Sequence, residues 1–360
     1  MARAMSSAID TTDVDLAFRL LLSVPPAQAQ FGFGLRLPAG PVLALPAAPQ
    51  HPEYALGLAC AAWDAASSGD LQLGEQLSRQ AIEAEQLPGA SQEGKVAYVV
   101  AATRSVLDFS IGAWHDAGAD YELASECAAS AGQPSREVFF LCSAAQCHAM
   151  AGEFEHAAAL ATEVVGRARQ LGLPHLTALG SIVLANALAE PEPGRARQLL
   201  QGGIELTTTL GAEDTAMVTV ALLAAAHLRD RGLTVELAPR SVRLLHWNGD
   251  RPQLAGLLNV IAWAAEADPE AAARLQGAAR GLSQRDGPLR GAQQAPPAAG
   301  TATARGTAGV IGDLRRETTA RLTDRLGDAR LRELRAEGEA MDIDQAVRFA
   351  LALLDTLASS

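Results

Sequence analysis

Gly152-Glu153-Phe154-Glu155-His156-Ala157 is the stretch on which the reading of this chain turns. A glycine there can close one helix in the left-handed conformation, and a polar residue can open the next. Degraded copies stand at Gly69-Asp70-Leu71, Gly112-Ala113-Trp114, Pro191-Glu192-Pro193 and Gly232-Leu233-Thr234. Subtracting successive first positions (69, 112, 152, 191, 232) gives spacings of 43, 40, 39 and 41 residues. A corner that returns at this interval, apolar on both sides, predicts an all-α fold: an α-solenoid of antiparallel helix pairs with a period of about 40 residues.

Composition agrees. The 360 residues are 49% hydrophobic but only 4% aromatic, so the core is built from Ala, Leu and Val. Small residues let helices approach closely and suit stacked pairs. The net charge of −12 argues against nucleic acid or anionic lipid as a partner. Cys60, Cys127, Cys142 and Cys147 lie in Ala-rich helical text, where cysteine behaves as a small apolar residue. That usage fits a reduced, cytoplasmic setting. Asp10, Asp13 and Asp15 precede any apolar run, against a secretory signal, and the longest charge-free apolar stretches are too short for a membrane span.

Residues 11–24 read as an amphipathic helix capped by Asp10, Thr11 or Thr12, and 26–37 as a second helix. Helix pairs follow at 53–68 with 70–86, 92–111 with 114–131, 135–151 with 153–171, 174–189 with 193–210, 213–231 with 234–247, and 252–266 with 269–282. A stretch rich in Pro, Gly, Ala and Thr over 284–311 reads as a flexible linker or long loop. Helices at 313–326, 329–337 and 343–357 come after it, broken by Gly327 and Gly338, with Asp342 or Asp344 as the last N-cap. The expected organisation is therefore an N-terminal helical segment (1–50), repeats (51–283), a linker (284–311) and a C-terminal helical cap (312–360).

Within the pairs the residue choice resembles the tetratricopeptide repeat. Gly152 is followed by Phe154, Ala157, Ala161 and Val164; Gly112 by Trp114, Ala117, Tyr121 and Ala124; Gly69 by Leu71, Gly74, Ser78 and Ala81. The bulky residue plugs the corner, and the small ones let the trailing helix cross its partner closely.

Two further segments carry a more specific resemblance. One runs from Leu244-Leu245-His246-Trp247-Asn248-Gly249-Asp250 through Leu257-Leu258-Asn259 to Ala271-Ala272-Ala273-Arg274-Leu275-Gln276-Gly277-Ala278. The other runs from Leu326-Gly327-Asp328 to Ala336-Glu337-Gly338-Glu339-Ala340-Met341-Asp342-Ile343-Asp344-Gln345-Ala346-Val347. Together they resemble the tetratricopeptide-like C-terminal tail of large actinobacterial ATP-dependent regulators, which include LuxR-type and adenylate-cyclase-linked relatives of the signal-transduction ATPases. Asp13 to Leu20 and Leu43-Ala44-Leu45-Pro46 resemble the passage from the ATPase into those repeats. The resemblance implies a non-enzymatic sensor or interaction region with a protein, peptide or small-effector partner.

Signatures of catalysis are missing from the text. A P-loop needs Gly-x-x-x-x-Gly-Lys-Ser/Thr, whose lysine neutralises phosphate. Lys95 is the sole lysine; Gly89 stands five residues before Gly94, but Val96 occupies the position of the Ser/Thr whose hydroxyl would hold magnesium. No Gly-x-Ser-x-Gly or His-Glu-x-x-His occurs. Cys142 and Cys147, five apart on a helix, point about 140° apart and do not readily share a metal with His148 and His156. The arginines from Arg315 to Arg335 are interleaved with acids at helical spacing and read as a salt-bridged face. No cofactor or metal is expected. The groove candidates are the leading-helix residues Trp63, Arg104, Asp108, Gln146, His148, Asn186, His227, Asn259 and Trp263, of which the two tryptophans could equally be core. A free-standing scaffold, or an all-helical enzyme with a groove site, remains the alternative.

Overall fold

The computed structural model describes residues 2–23, 39–67, 70–90, 94–211, 215–249, 251–285 and 307–359, and nearly all regular structure among them is α-helix. Helices α1 (Ala2–Asp10), α2 (Val14–Ser23) and α3 (Ala39–Leu43) precede a 3-10 turn at Ala48–Gln50. Pairs follow: α4 (Tyr54–Ser67) with α5 (Leu71–Glu85), α6 (Lys95–Ser110) with α7 (Trp114–Ser130), and α8 (Pro134–Ala151) with α9 (Phe154–Gln170). They continue as α10 (Pro174–Ala187) with α11 (Pro193–Leu210), α12 (Thr215–His227) with α13 (Arg231–Asn248), and α14 (Arg251–Ala264) with α15 (Pro269–Arg285). The chain closes with α16 (Thr307–Glu339) and α17 (Ile343–Ala358). The helices gather into two compact units, Met1–His148 with Ala159–Gly180, and Ala149–Ala158 with Ser181–Ser360.

Each unit is built from the helix pairs of a tetratricopeptide-like solenoid, and small residues set their spacing. The fourth residue of every trailing helix is small and buried: Gly74, Ala117, Ala157, Ala196, Thr234 and Ala272. One and two turns on, Ser78 and Ala81, Ala161 and Val164, and Ala238 and Ser241 are buried too. This phase reaches trailing helices in which the sequence shows no glycine corner.

Ala157 is fully buried, packed with Ala149 and Ala187 beside Phe154. Ala157→Leu is therefore expected to overpack this crossing and cost roughly 1–3 kcal/mol. A melting temperature within a degree of the parent would refute the assigned phase.

The N-terminal boundaries differ from expectation. Residues 2–10 form a helix of their own, and the next helix begins at Val14, where the Asp13 carboxylate accepts from the Leu16 N–H at 3.0 Å. Asp13 is thus the cap; Thr12, with φ 53°, turns the chain between the helices. The helix expected at 26–37 lies outside the described residues, as does Gly69.

Gly112 and Gly152 do turn with positive φ, but Gly232 does not mark its corner. That corner falls earlier, at Arg229 (φ 59°), because Asp230 is the better cap and accepts from the Leu233 N–H at 3.0 Å. Gly232 is left inside α13. Beyond α15, residues 286–306 of the expected linker lie outside the described residues, while Thr307 to Ile311 are already helical.

In the second unit, α16 packs on α14 and α15, and α17 packs on α13 and α15. The helices expected at 313–326 and 329–337 are separated at Gly327 as expected: its φ of 73° and ψ of 160° leave the helical region, and α16 is two helices meeting there. Gly338 does not break the helix. It allows backbone contact: a Cβ there would fall on the Arg274 carbonyl oxygen and 2.9 Å from the Ala278 nitrogen. Gly277 meets the Arg335 backbone in the same way, and a Cβ on Gly281 would lie 2.8 Å from the Glu339 carbonyl oxygen. Asp342 caps α17 in a reciprocal capping box with Gln345. No helix among the described residues is long and apolar enough to cross a membrane.

Candidate functional site

In the first unit, Arg104 and Asp108 rise from successive turns of α6 towards α7. The Arg104 guanidinium pairs with Asp120 at 3.1 Å, and Asp108 shares a hydrogen bond with the same carboxylate. Burial, then the charges of Asp120 and Asp116, push the Asp108 carboxyl up from its ordinary 3.8 to about 6, against the pull of Arg104. Burial also raises Asp120, with Arg104 opposing it. Two carboxyls here hold a proton between them at mildly acidic pH.

The sign of the linkage follows from a raised carboxyl. Protonated Asp108 is favoured in the folded chain, so its stabilising contribution is complete below about pH 4 and is lost as pH rises through about 6. Asp108→Asn is expected to raise the melting temperature at pH 7 and to flatten its decline between pH 5 and 7. A variant with the parent's full pH slope would exclude this pair as its source.

Other candidates of this unit lie deeper. Trp63 is 2% exposed, a core residue and not a groove anchor, since α4 is buried almost throughout. His148 is also buried, its Nε2 lying 2.8 Å from Glu122 Oε1. Its ring rests flat on Gly118, where a Cβ would come within 2.6 Å of Nε2, and meets the His115 ring edge-on. Gln146 is half-exposed on α8. Burial drives the Cys60 thiol up to about 12, helped by Asp64, and drives Cys147 upward as well, so neither offers a thiolate at neutral pH.

In the second unit Asn186 and His227 meet inside the protein. His227 Nδ1–H donates to Asn186 Oδ1 at 3.2 Å, with Glu190 3.5 Å from Nε2 and the Phe154 ring 5.3 Å away. Burial lowers the His227 pKa, so the ring is neutral and serves as an internal hydrogen-bonding group. Asn259, half-buried, donates to Ala255 O of its own helix at 3.1 Å.

Trp263 is 1% exposed and belongs to the core. Its indole N–H donates to Glu317 Oε1 at 3.3 Å, and the Arg229 and Arg231 guanidinium carbons stand 5.9 and 4.9 Å from the ring centroid. Glu317 also pairs with Arg229 at 2.6 Å. Arg321 donates to the Trp263 carbonyl at 3.2 Å and faces Glu266 at 3.6 Å.

The sequence candidates thus form separate groups: Arg104 with Asp108, His148 apart from them, Asn186 with His227, and Trp263. Missing from the sequence reading were Asp120, Glu122 and Glu190, while Glu317 was read only as one acid of the salt-bridged face. Asp116 and Asp120, one turn apart on α7, carried a signal that could have been matched to Arg104. Nothing local pairs Glu317 with Trp263.

No family model matches the chain, and neither does any curated protein. Among solved structures it is similar to a Rap protein complexed with competence and sporulation factor, at 12% identity and a TM-score of 0.49, covering 99% of this chain and 97% of that one.

Proposed function

We propose that this protein is a non-enzymatic regulatory solenoid that binds a protein, peptide or small effector in a cytoplasmic setting. In this reading it stands where the sensor tail stands in the ATP-dependent regulators its sequence resembles, with residues 51–283 as the repeats and 312–360 as their cap. One contrast carries the reading. Cys60, Cys147 and His227 are internal, the cysteines held as thiols and the histidine as neutral imidazole. Arg104, by contrast, is exposed on a leading helix, with Asp108 and Gln146 half-exposed. Side chains of that kind recognise a partner without transforming it.

The test is a photo-crosslinking amino acid at Gln146 or at Asp108 in native cells, with the Trp247 position as control. A discrete adduct specific to Gln146 and Asp108, lost when Arg104 is changed to Glu, supports the reading. Adducts that are absent or equal at all positions refute it. Tight ATP binding is also not expected, because Val96 lacks the magnesium-holding hydroxyl and the Gly89–Lys95 stretch follows a helix and not a strand; affinity of about 1 μM by calorimetry would overturn this. A free-standing scaffold is the second reading, favoured where no ATPase responds to the purified chain.

A further inference from the structure

The two halves of α16 are attached to the second unit by different means. From Asp328 onward the helix lies in backbone contact with α15, cut to fit by Gly277, Gly281 and Gly338, and its Leu331 and Leu334 are buried. No side-chain motion opens such a contact.

Before Gly327 the attachment is of another kind. Leu314, Thr318 and Leu322 form a buried stripe against the repeats, and polar contacts of partly exposed groups flank it. Glu317 sits between Arg229 and the indole N–H of Trp263, and Arg325 donates to the Glu266 carbonyl at 2.8 Å. The half-exposed ion pairs contribute little to holding this half, and salt screens them. Gly327, at φ 73°, is the joint between the two halves.

The first half also occupies a telling place. It meets the leading helix α14 at Trp263, reaches α12 through the Arg229–Glu317 pair next to that helix's end, and touches α15 where Gln276 donates to the Arg315 carbonyl at 3.4 Å. Leading helices carry the face that helical repeats offer to partners. On α14 that face is filled by the chain's own helix, which displays the chemistry the face accepts.

We propose that residues 307–326 are a displaceable internal ligand. The partner they hold off is an amphipathic helix carrying a carboxylate for the Arg229, Arg231 and Trp263 cradle. It bears leucines three residues before and five residues after that carboxylate, in the register of Leu314, Glu317 and Leu322. This deepens the reading of the chain as an interaction protein and rests on it; it names a site and a class of partner.

The probe is a labelled synthetic peptide of residues 307–326, titrated against the full-length chain by fluorescence anisotropy. Parent protein, whose own helix fills the site, should bind it weakly. The full-length double variant Leu314→Asp with Leu322→Asp, whose own helix no longer fits, should bind it about tenfold more tightly or better. A peptide carrying Glu317→Arg should lose that gain. Equal affinity for parent and folded variant, no binding by the folded variant, or indifference to Glu317→Arg would each overturn the proposal. Should the double variant fail to fold, hydrogen exchange in the parent decides. Amides of 307–326 exchanging ahead of those in 328–339 support displacement, whereas matched rates exclude it. Peptide failure beside an intact crosslink at Gln146 removes this inference alone; loss of the crosslink removes the broader reading.

Discussion

Gly338→Ala should be among the most damaging single-methyl additions in the protein. Ordinarily alanine gains about 1 kcal/mol over glycine inside a helix. Here the added carbon would fall on the Arg274 carbonyl oxygen of the facing helix, and backbone cannot step aside as a flexible side chain can. The steric term wins, and the expected net loss is upwards of about 3 kcal/mol. Gly277→Ala, which meets the Arg335 backbone, should behave alike. Both glycines serve one contact, so the double variant should cost less than the sum. Gly256→Ala supplies the opposite sign: it lies in α14 with nothing within 4 Å of the added carbon, and should gain about 0.5–1 kcal/mol. Urea midpoints of the three single variants check this ordering. Gly338→Ala falling beside Gly256→Ala would mean the helices do not meet at backbone distance.

That contact also explains what the sequence showed and where it misled. The segments around 244–278 and 326–347, which carry the resemblance to regulator tails, face one another in the folded chain. Gly277 meets Arg335, Gly338 meets Arg274, and His246 lies 2.8 Å from Asp344. Yet Gly338 reads as a helix breaker when only its own segment is considered. Glycine permits a break and a close approach equally, and the choice depends on a partner some sixty residues away.

Periodic small residues were legible because each helix states its own crossing face: Ala157, Ala161 and Val164 are enough to set the phase. The last cap was legible only as Asp342 or Asp344; the capping box with Gln345 in the folded chain selects Asp342. The corner near Gly232 was misplaced because Asp230 and Arg229 compete for it within the same few residues. At the candidate site, Arg104 and Asp108 could be named from their position on a leading helix. The proton they help hold could not, since it requires Asp120 of the next helix.

Trp263→Ala is the other large effect. The indole is the bulkiest of the fully buried side chains, and truncating such a residue costs about 3–5 kcal/mol through lost burial and the cavity left behind. Its surroundings push the cost towards the upper end. Arg229 and Arg231 lose the ring they lie over, and Glu317 loses the indole N–H. Trp263→Phe separates these contributions. It keeps most of the packing and removes only the donor, and because Glu317 is half-exposed and still paired with Arg229 the expected loss is about 1 kcal/mol beyond the packing change. Trp247→Ala is the control, since that side chain is 88% exposed and its removal should change stability by no more than about 0.5 kcal/mol. The two tryptophans should differ in emission as well: Trp263→Ala should reduce the blue-shifted, quencher-protected component that Trp263 shares with buried Trp63, whereas Trp247→Ala should leave it intact. A Trp263→Ala protein as stable as Trp247→Ala would mean that α16 does not cover this ring, and the internal-ligand proposal would fall with it.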